Sequence, residues 1–218
     1  MHQAKCNEHS GLSSISNKSD DVANYYDGWA PDYNVNLADW SYKAPDRVAS
    51  ILRTKLSPDS NILDAGCGTG LGGKALRSVG FTTIDGIDVS KQSLEIAGMT
   101  NAYQTLRSMN MQQLPLSIPA NHYDGLICVG VLTYLPESRV ILKEFSRIVR
   151  PKGSIVVTQR SDLFVDRHFK NVLGKLSDEG VIDQLQISEP QPYLPDNEEF
   201  SDQILVHYIS FTVVEGNM

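Results

Sequence analysis

A short apolar run, Asn61-Ile62-Leu63-Asp64, leads into Ala65-Gly66-Cys67-Gly68-Thr69-Gly70, with glycine at three alternate positions. Glycine there removes the side chains that would keep a ligand off the main chain. A helix starting after such a loop presents unpaired N–H groups at its first turn, which suits a nucleotide-like ligand. A tight strand-to-helix turn would use the same glycines, so the loop alone decides little. Three further features fall in register with it. Asp88 ends a second apolar run about twenty residues on, where a carboxylate can accept both hydroxyls of a ribose. Taken alone, an Asp in the place of Asp88 is more often a helix cap or a solvated charge. Asn110-Met111 closes a third run beside Leu114-Pro115, offering an amide oxygen to an adenine amino group and a thioether to cover the ring. Cys128-Val129-Gly130 ends a fourth run, where the backbone must pass close to the same ligand.

Those positions require strands that end together and helices that carry the chain back. The sequence predicts strands at Asn61–Asp64, Thr82–Asp88, Tyr103–Met109, Asp124–Val129 and Ser154–Thr158. Between them, Leu71, Ala75, Leu76 and Val79 mark a helix ending at Gly80, and Ser90 can cap the next. A helix over about Glu137–Val149 turns Ile141, Phe145 and Ile148 inward, and Arg150-Pro151-Lys152-Gly153 forms a turn. Such alternation means a mainly parallel sheet covered on both faces. Beyond it, Leu163–Leu176 reads as one helix. Ile182–Ile187 and Ile204–Val214 read as strands that pair near the sheet edge across a long Pro-rich connection. Upstream, residues 1–18 read as a disordered leader. Asp21–Trp29 reads as a short helix interrupted by Pro31 and Asn34, and a second helix has Pro45 in its first turn, with Val48, Ile51, Leu52 and Leu56 recurring at helical spacing.

Composition narrows the classes. The 218 residues are 41% hydrophobic, with 19 Lys+Arg against 26 Asp+Glu and a net charge of −7. An acidic chain without a Lys/Arg-rich run lacks the footprint of a general nucleic-acid binder. No apolar run approaches the ~20 residues of a membrane span, and the first twenty residues have no signal-peptide core. Three cysteines, Cys6, Cys67 and Cys128, form no disulfide framework and fit a reducing, cytoplasmic location. The scattered histidines suggest no metal site.

In combination, ILDAGCGTG, GIDVS, Asn110 before LP, YDGLICVGVLTYLP and RIVRPKGSIVV resemble the class I S-adenosylmethionine (SAM)-dependent methyltransferases, from about Tyr25 to Gln159. The upstream YYDGWAPDYN is similar to the Williams–Beuren-region methyltransferase-like proteins, and more loosely to the ubiquinone-biosynthesis methyltransferases. The resemblance implies an α/β, three-layer Rossmann-like sandwich with a mostly parallel seven-stranded sheet whose last strand is antiparallel. It implies one domain over 19–218, with an N-terminal helical lid over about 19–57. It implies S-adenosyl-L-methionine as cofactor and S-adenosyl-L-homocysteine (SAH) as product. Asp64, Gly66 and Gly68, with Ala65 between them, would hold the methionine moiety. Asp88 would bind the ribose and Val89 would pack on the adenine. Asn110 would take the adenine amino group and the Met111 backbone a ring nitrogen. Val129 or Gly130 carbonyls would approach the methionine ammonium. An acid often stands where this chain has Asn110, so the contact keeps its acceptor and loses its charge.

Gly68-Thr69-Gly70-Leu71-Gly72-Gly73 also satisfies the G-x-G-x-x-G of nicotinamide-dependent dehydrogenases. That fingerprint places its first glycine at the strand end, whereas here Asp64 would set a carboxylate beside a pyrophosphate. SAM carries an ammonium and a sulfonium and no phosphate, so an acid suits it.

On the acceptor side, Tyr25, Tyr26, Trp29, Tyr33, Trp40 and Tyr42 concentrate aromatics in a chain with only 8% of them. Tyr26, Trp29 and Tyr33 are expected to close over the sulfonium and the acceptor, although each could equally be a core ring. Methyl transfer leaves little catalytic signature. Tyr134 and His168 are the candidate bases, and both residue types more commonly serve packing or surface. Cys67 and Cys128 fall at neighbouring strand ends and read chiefly as buried, inert thiols. The expectation is methyl transfer to a small-molecule acceptor. A protein or peptide methyltransferase, a SAM-binding partner without turnover and, more distantly, an NAD(P)-dependent oxidoreductase are the alternatives.

Overall fold

In the computed structural model, residues 17–197 and 204–215 are described. The expected leader lies outside them except for Asn17 and Lys18, and Lys18 stands immediately before the first helix, its carbonyl accepting from Val22 N at 3.0 Å.

Among the described residues, eight strands form one sheet: β1 (Asn61–Ala65), β2 (Thr83–Asp88), β3 (Thr105–Ser108), β4 (Tyr123–Cys128), β5 (Val149–Arg160), β6 (Ile182–Ile187), β7 (Gln191–Pro192) and β8 (Leu205–Val213). The order is β3-β2-β1-β4-β5-β8-β6, with the two-residue β7 pairing on β8. Strands β3, β2, β1, β4 and β5 pair in parallel. β8 inserts antiparallel between β5 and β6. Strand order reverses between β1 and β4, and ligands of open α/β sheets bind at the carboxyl ends of strands flanking such a reversal.

Alternate side chains of each strand serve opposite faces. Leu63, Leu126, Ile155 and Val157 pack into a core with α5 (Ser138–Ile148) and α7 (Phe169–Asp178). Ile62, Ile127 and Val156 pack into another with α2 (Ala44–Arg53) and α3 (Leu71–Ser78). The central strands are therefore apolar at nearly every position, as strands covered on both faces must be. Asp64 shares a face with Ile62, so its carboxylate enters the sheet's α3 side. Ser90 caps α4 (Lys91–Met99), its hydroxyl accepting from Ser93 N at 3.0 Å.

Four local expectations change. α1 runs unbroken over Ser19–Asp39 with Pro31 inside it. Proline removes one helical hydrogen bond. Against that loss, Val22, Tyr26, Trp29, Ala30, Tyr33 and Leu37 form a stripe at helical spacing, with Trp29 fully buried. Truncating such a tryptophan costs about 3–5 kcal/mol, which shows how packing outweighs the missing bond. Arg150–Gly153 is no separate turn. β5 begins at Val149 directly after α5, and its pairing with β4 skips between Tyr123 and Gly125 to absorb these residues, with Lys152 at φ +67. The segment expected as one helix is two, α6 (Ser161–Asp166) and α7, broken where His168 takes φ +48. The Pro-rich connection contributes the short β7.

Candidate functional site

The loop after β1 is tied down by its neighbours. Gly66 N and Cys67 N both donate to Ile87 O, at 2.8 and 3.0 Å. Gly68 N donates to Asp88 Oδ2 at 2.8 Å, and Ser90 N donates to Asp88 Oδ1 at 2.9 Å. Asp88 thus joins the loop to the start of α4. Each carboxylate oxygen keeps a second acceptor position, enough for two vicinal hydroxyls. Burial raises the Asp88 carboxyl above its ordinary range, against the backbone donors that lower it. At Gly68 φ is +50 and a Cβ would meet nothing within 4 Å. The loop therefore leaves a hollow that any side chain would fill.

Behind the loop, Tyr103 donates to Asp64 Oδ2 at 2.8 Å and accepts from Gly73 N at 2.9 Å. Burial pushes the Asp64 carboxyl up to about 7; the Tyr103 hydrogen bond acts in the opposite sense, and Asp88 adds to the rise. A Cβ at Gly72 would stand 2.4 Å from Asp64 Oδ2. Gly72, an x position of the G-x-G-x-x-G match, is therefore explained by packing against a buried carboxylate, whose charge opposes a pyrophosphate, and the last glycine of the match, Gly73, by the Tyr103 ring 2.3 Å from where its Cβ would stand.

Three clefts open at the carboxyl end of the sheet. The largest, about 730 Å³, takes Gly66, Gly68, Asp88 and Val89 from the first two strand ends. It takes Asn110 and Met111 from the third, Val129 and Gly130 from the fourth, and Tyr26 and Tyr33 from α1. Ten of the twelve expected cofactor residues therefore line one cleft. Asp64 lines a smaller one of about 330 Å³, which shares Tyr33, Gly66, Gly68 and Val129 with the first. Ala65 lines neither; its methyl is fully buried in the core. A further cleft of about 400 Å³ shares Tyr26, Tyr33, Gly130 and Tyr134 with the first. Tyr33 lines all three. Asn110 Oδ1 already accepts from Gln112 N at 2.9 Å, leaving one acceptor position toward the cleft.

The helix over this junction is fixed by polar contacts as well as packing. Asp27 Oδ1 accepts from Ser90 Oγ at 2.5 Å and Gln92 N at 3.2 Å, and Asn34 Oδ1 accepts from Thr69 Oγ1 at 2.6 Å. Tyr26 and Tyr134 share a hydroxyl hydrogen bond of 3.0 Å. Burial holds the hydroxyls of Tyr26 and Tyr33 well above their ordinary range and pushes Tyr134 up to about 12. These phenols stay protonated, so Tyr134 fits hydrogen bonding better than proton removal. His168 is exposed and lines none of the three clefts. Burial raises both Cys67 and Cys128 thiols; Cys67 lines the Asp64 cleft and Cys128 sits wholly in the core.

Tyr103, Asp27, Arg160 and Tyr193 carry contacts in or behind these clefts that the sequence did not single out. Tyr103, Asp27 and Tyr193 act across at least 30 residues of chain, whereas Arg160 pairs with Asp162 two residues on. Among the described residues no cluster of three metal-ligating side chains occurs, and no helix is long and apolar enough to cross a membrane.

Residues 63–157 match the family described as Methyltransferase domain. The chain is 34% identical over 142 residues to methyltransferase-like protein 27 of Homo sapiens, covering 63% of this chain and 57% of that protein. It is 29% identical over 189 residues to 2-methyl-6-phytyl-1,4-hydroquinone methyltransferase of Synechocystis sp., covering 74% of this chain and 59% of the relative. The chain thus spans less than two thirds of the length of these curated relatives. Among solved structures, a SAM-dependent methyltransferase of Thermotoga maritima, titled a possible histamine N-methyltransferase, superposes with a TM-score of 0.64 at 15% identity. That likeness covers 88% of this chain and 99% of the other and concerns the fold.

Proposed function

We propose that this chain is a class I SAM-dependent methyltransferase that transfers the methyl group of SAM to a small-molecule acceptor. The observation that carries this reading is that four strand ends supply one cleft, with Gly66, Gly68, Asp88, Asn110 and Gly130 among its lining, beside the cleft that Asp64 lines. The largest suits an adenosyl group, with Asp88 at the ribose and Asn110 and Met111 at the ring. The Asp64 cleft suits the aminobutyrate arm, where a buried carboxylate gains from a cationic partner. The third is left for the acceptor. The hollow at Gly68 and the two buried carboxylates fit a donor that is cationic and carries no phosphate.

Bound SAM supplies an already activated methyl group. What remains for the protein is alignment, exclusion of water and control of the acceptor's proton. α1 roofs the junction with Tyr26 and Tyr33, and Tyr134 fixes Tyr26 from below. Their hydroxyls, held neutral by burial, can donate to an acceptor oxygen.

Parallel calorimetric titrations with SAM, SAH and NADH test the reading, repeated on Asp88→Asn. Binding of both adenosyl ligands, weakened in the variant, is expected. Binding of NADH alone would overturn it.

A further inference from the structure

α1 is a wall that the donor and acceptor clefts have in common. Ser19, Val22, Tyr26 and Tyr33 line the largest cleft, and Tyr26, Trp29, Tyr33 and Leu37 line the 400 Å³ cleft. Two side chains of the same helix, Asp27 and Asn34, line none of the three clefts. They stand two turns apart and so share one face. Asp27 Oδ1 accepts from Ser90 Oγ at 2.5 Å and from Gln92 N at 3.2 Å. Asn34 Oδ1 accepts from the buried Thr69 Oγ1 at 2.6 Å.

Both ties end beside the Asp88 carboxylate. Ser90 gives its hydroxyl to Asp27 and its N–H to Asp88 Oδ1, the latter at 2.9 Å. Gly68, the residue before Thr69, gives its N–H to Asp88 Oδ2 at 2.8 Å. The contacts close a circuit: Asp27 to Ser90, Ser90 to Asp88, Asp88 to Gly68, Thr69 to Asn34, and back to Asp27 through two turns of α1. Gly68, Thr69 and Asp88 line the largest cleft, so a ligand seated there meets the circuit. A ribose that takes the second acceptor position of each Asp88 oxygen holds the carboxylate plane, and with it the two segments to which α1 is tied.

We infer, building on the methyltransferase reading, that Asp27 and Asn34 are positioning residues that latch α1 to the ribose site, so that a bound donor holds in place the α1 wall of the acceptor cleft. Neither lines a cleft, so neither touches the donor. Their effect on affinity runs through the fraction of molecules with α1 docked, because apparent affinity falls by that fraction. The coupling is reciprocal: whatever docks α1 tightens the donor, and the donor steadies the cleft walled by Trp29 and Leu37.

The chain's two tryptophans, Trp29 and Trp40, report on α1 directly. One lies inside the helix and the other follows its last residue, and they are 1% and 9% exposed. The test combines acrylamide quenching of their emission with calorimetric titration by SAH, on the full chain and on Asp27→Ala and Asn34→Ala. The two variants are made singly, so that each keeps the other tie and the Tyr26–Tyr134 hydrogen bond. Each should bind SAH about fivefold or more weakly, the lower end of coupling between linked sites. Each should quench more strongly when free and return to the wild-type value when saturated with SAH. Asp27→Asn, whose amide oxygen can still accept from Ser90 and Gln92, should recover most of the affinity. Asn36→Ala removes a bond within α1, Trp29 Nε1 to Asn36 Oδ1 at 2.8 Å, and should leave SAH affinity unchanged. In the unaltered chain SAH should slow amide hydrogen exchange along α1 about fivefold or more, a measurement that needs no variant. Unchanged SAH affinity in both latch variants, lost affinity without a change in quenching, quenching that SAH does not reverse, an equal affinity loss in Asn36→Ala, or unslowed exchange along α1 would each overturn the inference. Failure of the unaltered chain to bind SAH would instead overturn the cofactor reading on which it rests.

Discussion

Replacing Tyr103 by phenylalanine should destabilise the protein by an amount that depends on pH in a defined direction. The Tyr103 hydroxyl is the donor to Asp64 Oδ2 and the acceptor for Gly73 N. The Asp64 carboxyl is pushed from its ordinary 3.8 to about 7, chiefly by burial. A carboxyl whose folded value is raised contributes its full stability below the unfolded value and loses it as pH rises from about 4 to about 7. Tyr103 moderates that loss because its hydrogen bond favours the ionised form. Without it, Asp64 titrates higher still and the cost at pH 8 grows. A hydrogen bond to a charged group is worth about 1.5–3 kcal/mol and one to a neutral group about 0.5–1.5 kcal/mol. The orphaned Gly73 N–H adds about 1 kcal/mol at either pH. Tyr103→Phe should therefore cost about 3 kcal/mol at pH 8 and about 1 kcal/mol less at pH 5. Urea unfolding of both proteins at both pH values measures the difference, in which the Gly73 contribution and every other titrating group cancel. An equal loss at the two pH values, or a larger one at pH 5, would refute the assignment of an ionising Asp64 held by Tyr103.

Gly68→Ala should leave the unfolding midpoint within about 1–2 kcal/mol of wild type, the cost of a left-handed alanine, yet abolish SAM binding by filling the hollow. Gly72→Ala should do the reverse in proportion, losing about 1–3 kcal/mol of stability by crowding the Asp64 carboxylate; thermal unfolding and SAM calorimetry separate the two. Asp88→Ala should cost about 1–3 kcal/mol for each buried N–H it orphans at Gly68 and Ser90, whereas Asp88→Asn should lose affinity with a smaller stability change. Affinity for SAM should rise between pH 5 and pH 7 as Asp64 ionises, and Asp64→Asn should flatten that rise. Tyr33→Phe should lower turnover if the hydroxyl donates to the acceptor; unchanged SAM affinity and unchanged turnover would remove it from the mechanism.

The parts of the site that were legible in the sequence are those set by short spacing. Asp88 stands at the end of β2 because strand length and loop length are fixed within about twenty residues, and Ser90 caps α4 for the same local reason. Of the ten expected residues that share a cleft, eight are brought there by four parallel strand ends and two, Tyr26 and Tyr33, by α1. What escaped was set by distant packing. Pro31 and Asn34 argued locally for a break, and only the burial of Trp29 and Leu37 against other elements keeps α1 continuous. The Arg150–Gly153 segment has turn composition but is absorbed into β5 by its pairing with β4. Tyr103, at the start of an unremarkable run, meets Asp64 through the β1–β2–β3 order. Arg160 and Tyr193 line one cleft with Tyr26, Trp29 and Tyr33, which lie far from them in sequence.

The place of β8 also orders the birth of the molecule. Strands β1 to β5 and their helices are complete once residue 160 has been made, and they contain nearly every residue proposed to hold the donor. The outer edge of β5, Ser154 to Arg160, pairs with Val206 to Thr212, near the end of the sequence. During synthesis that edge waits for about fifty further residues, at a few residues to about twenty per second. For those seconds the nascent protein can assemble the donor half while the 400 Å³ cleft still lacks Tyr193 and Leu194. An unpaired apolar edge is then exposed, and a ligand bound to the finished half would stabilise the fragment against misassembly by mass action.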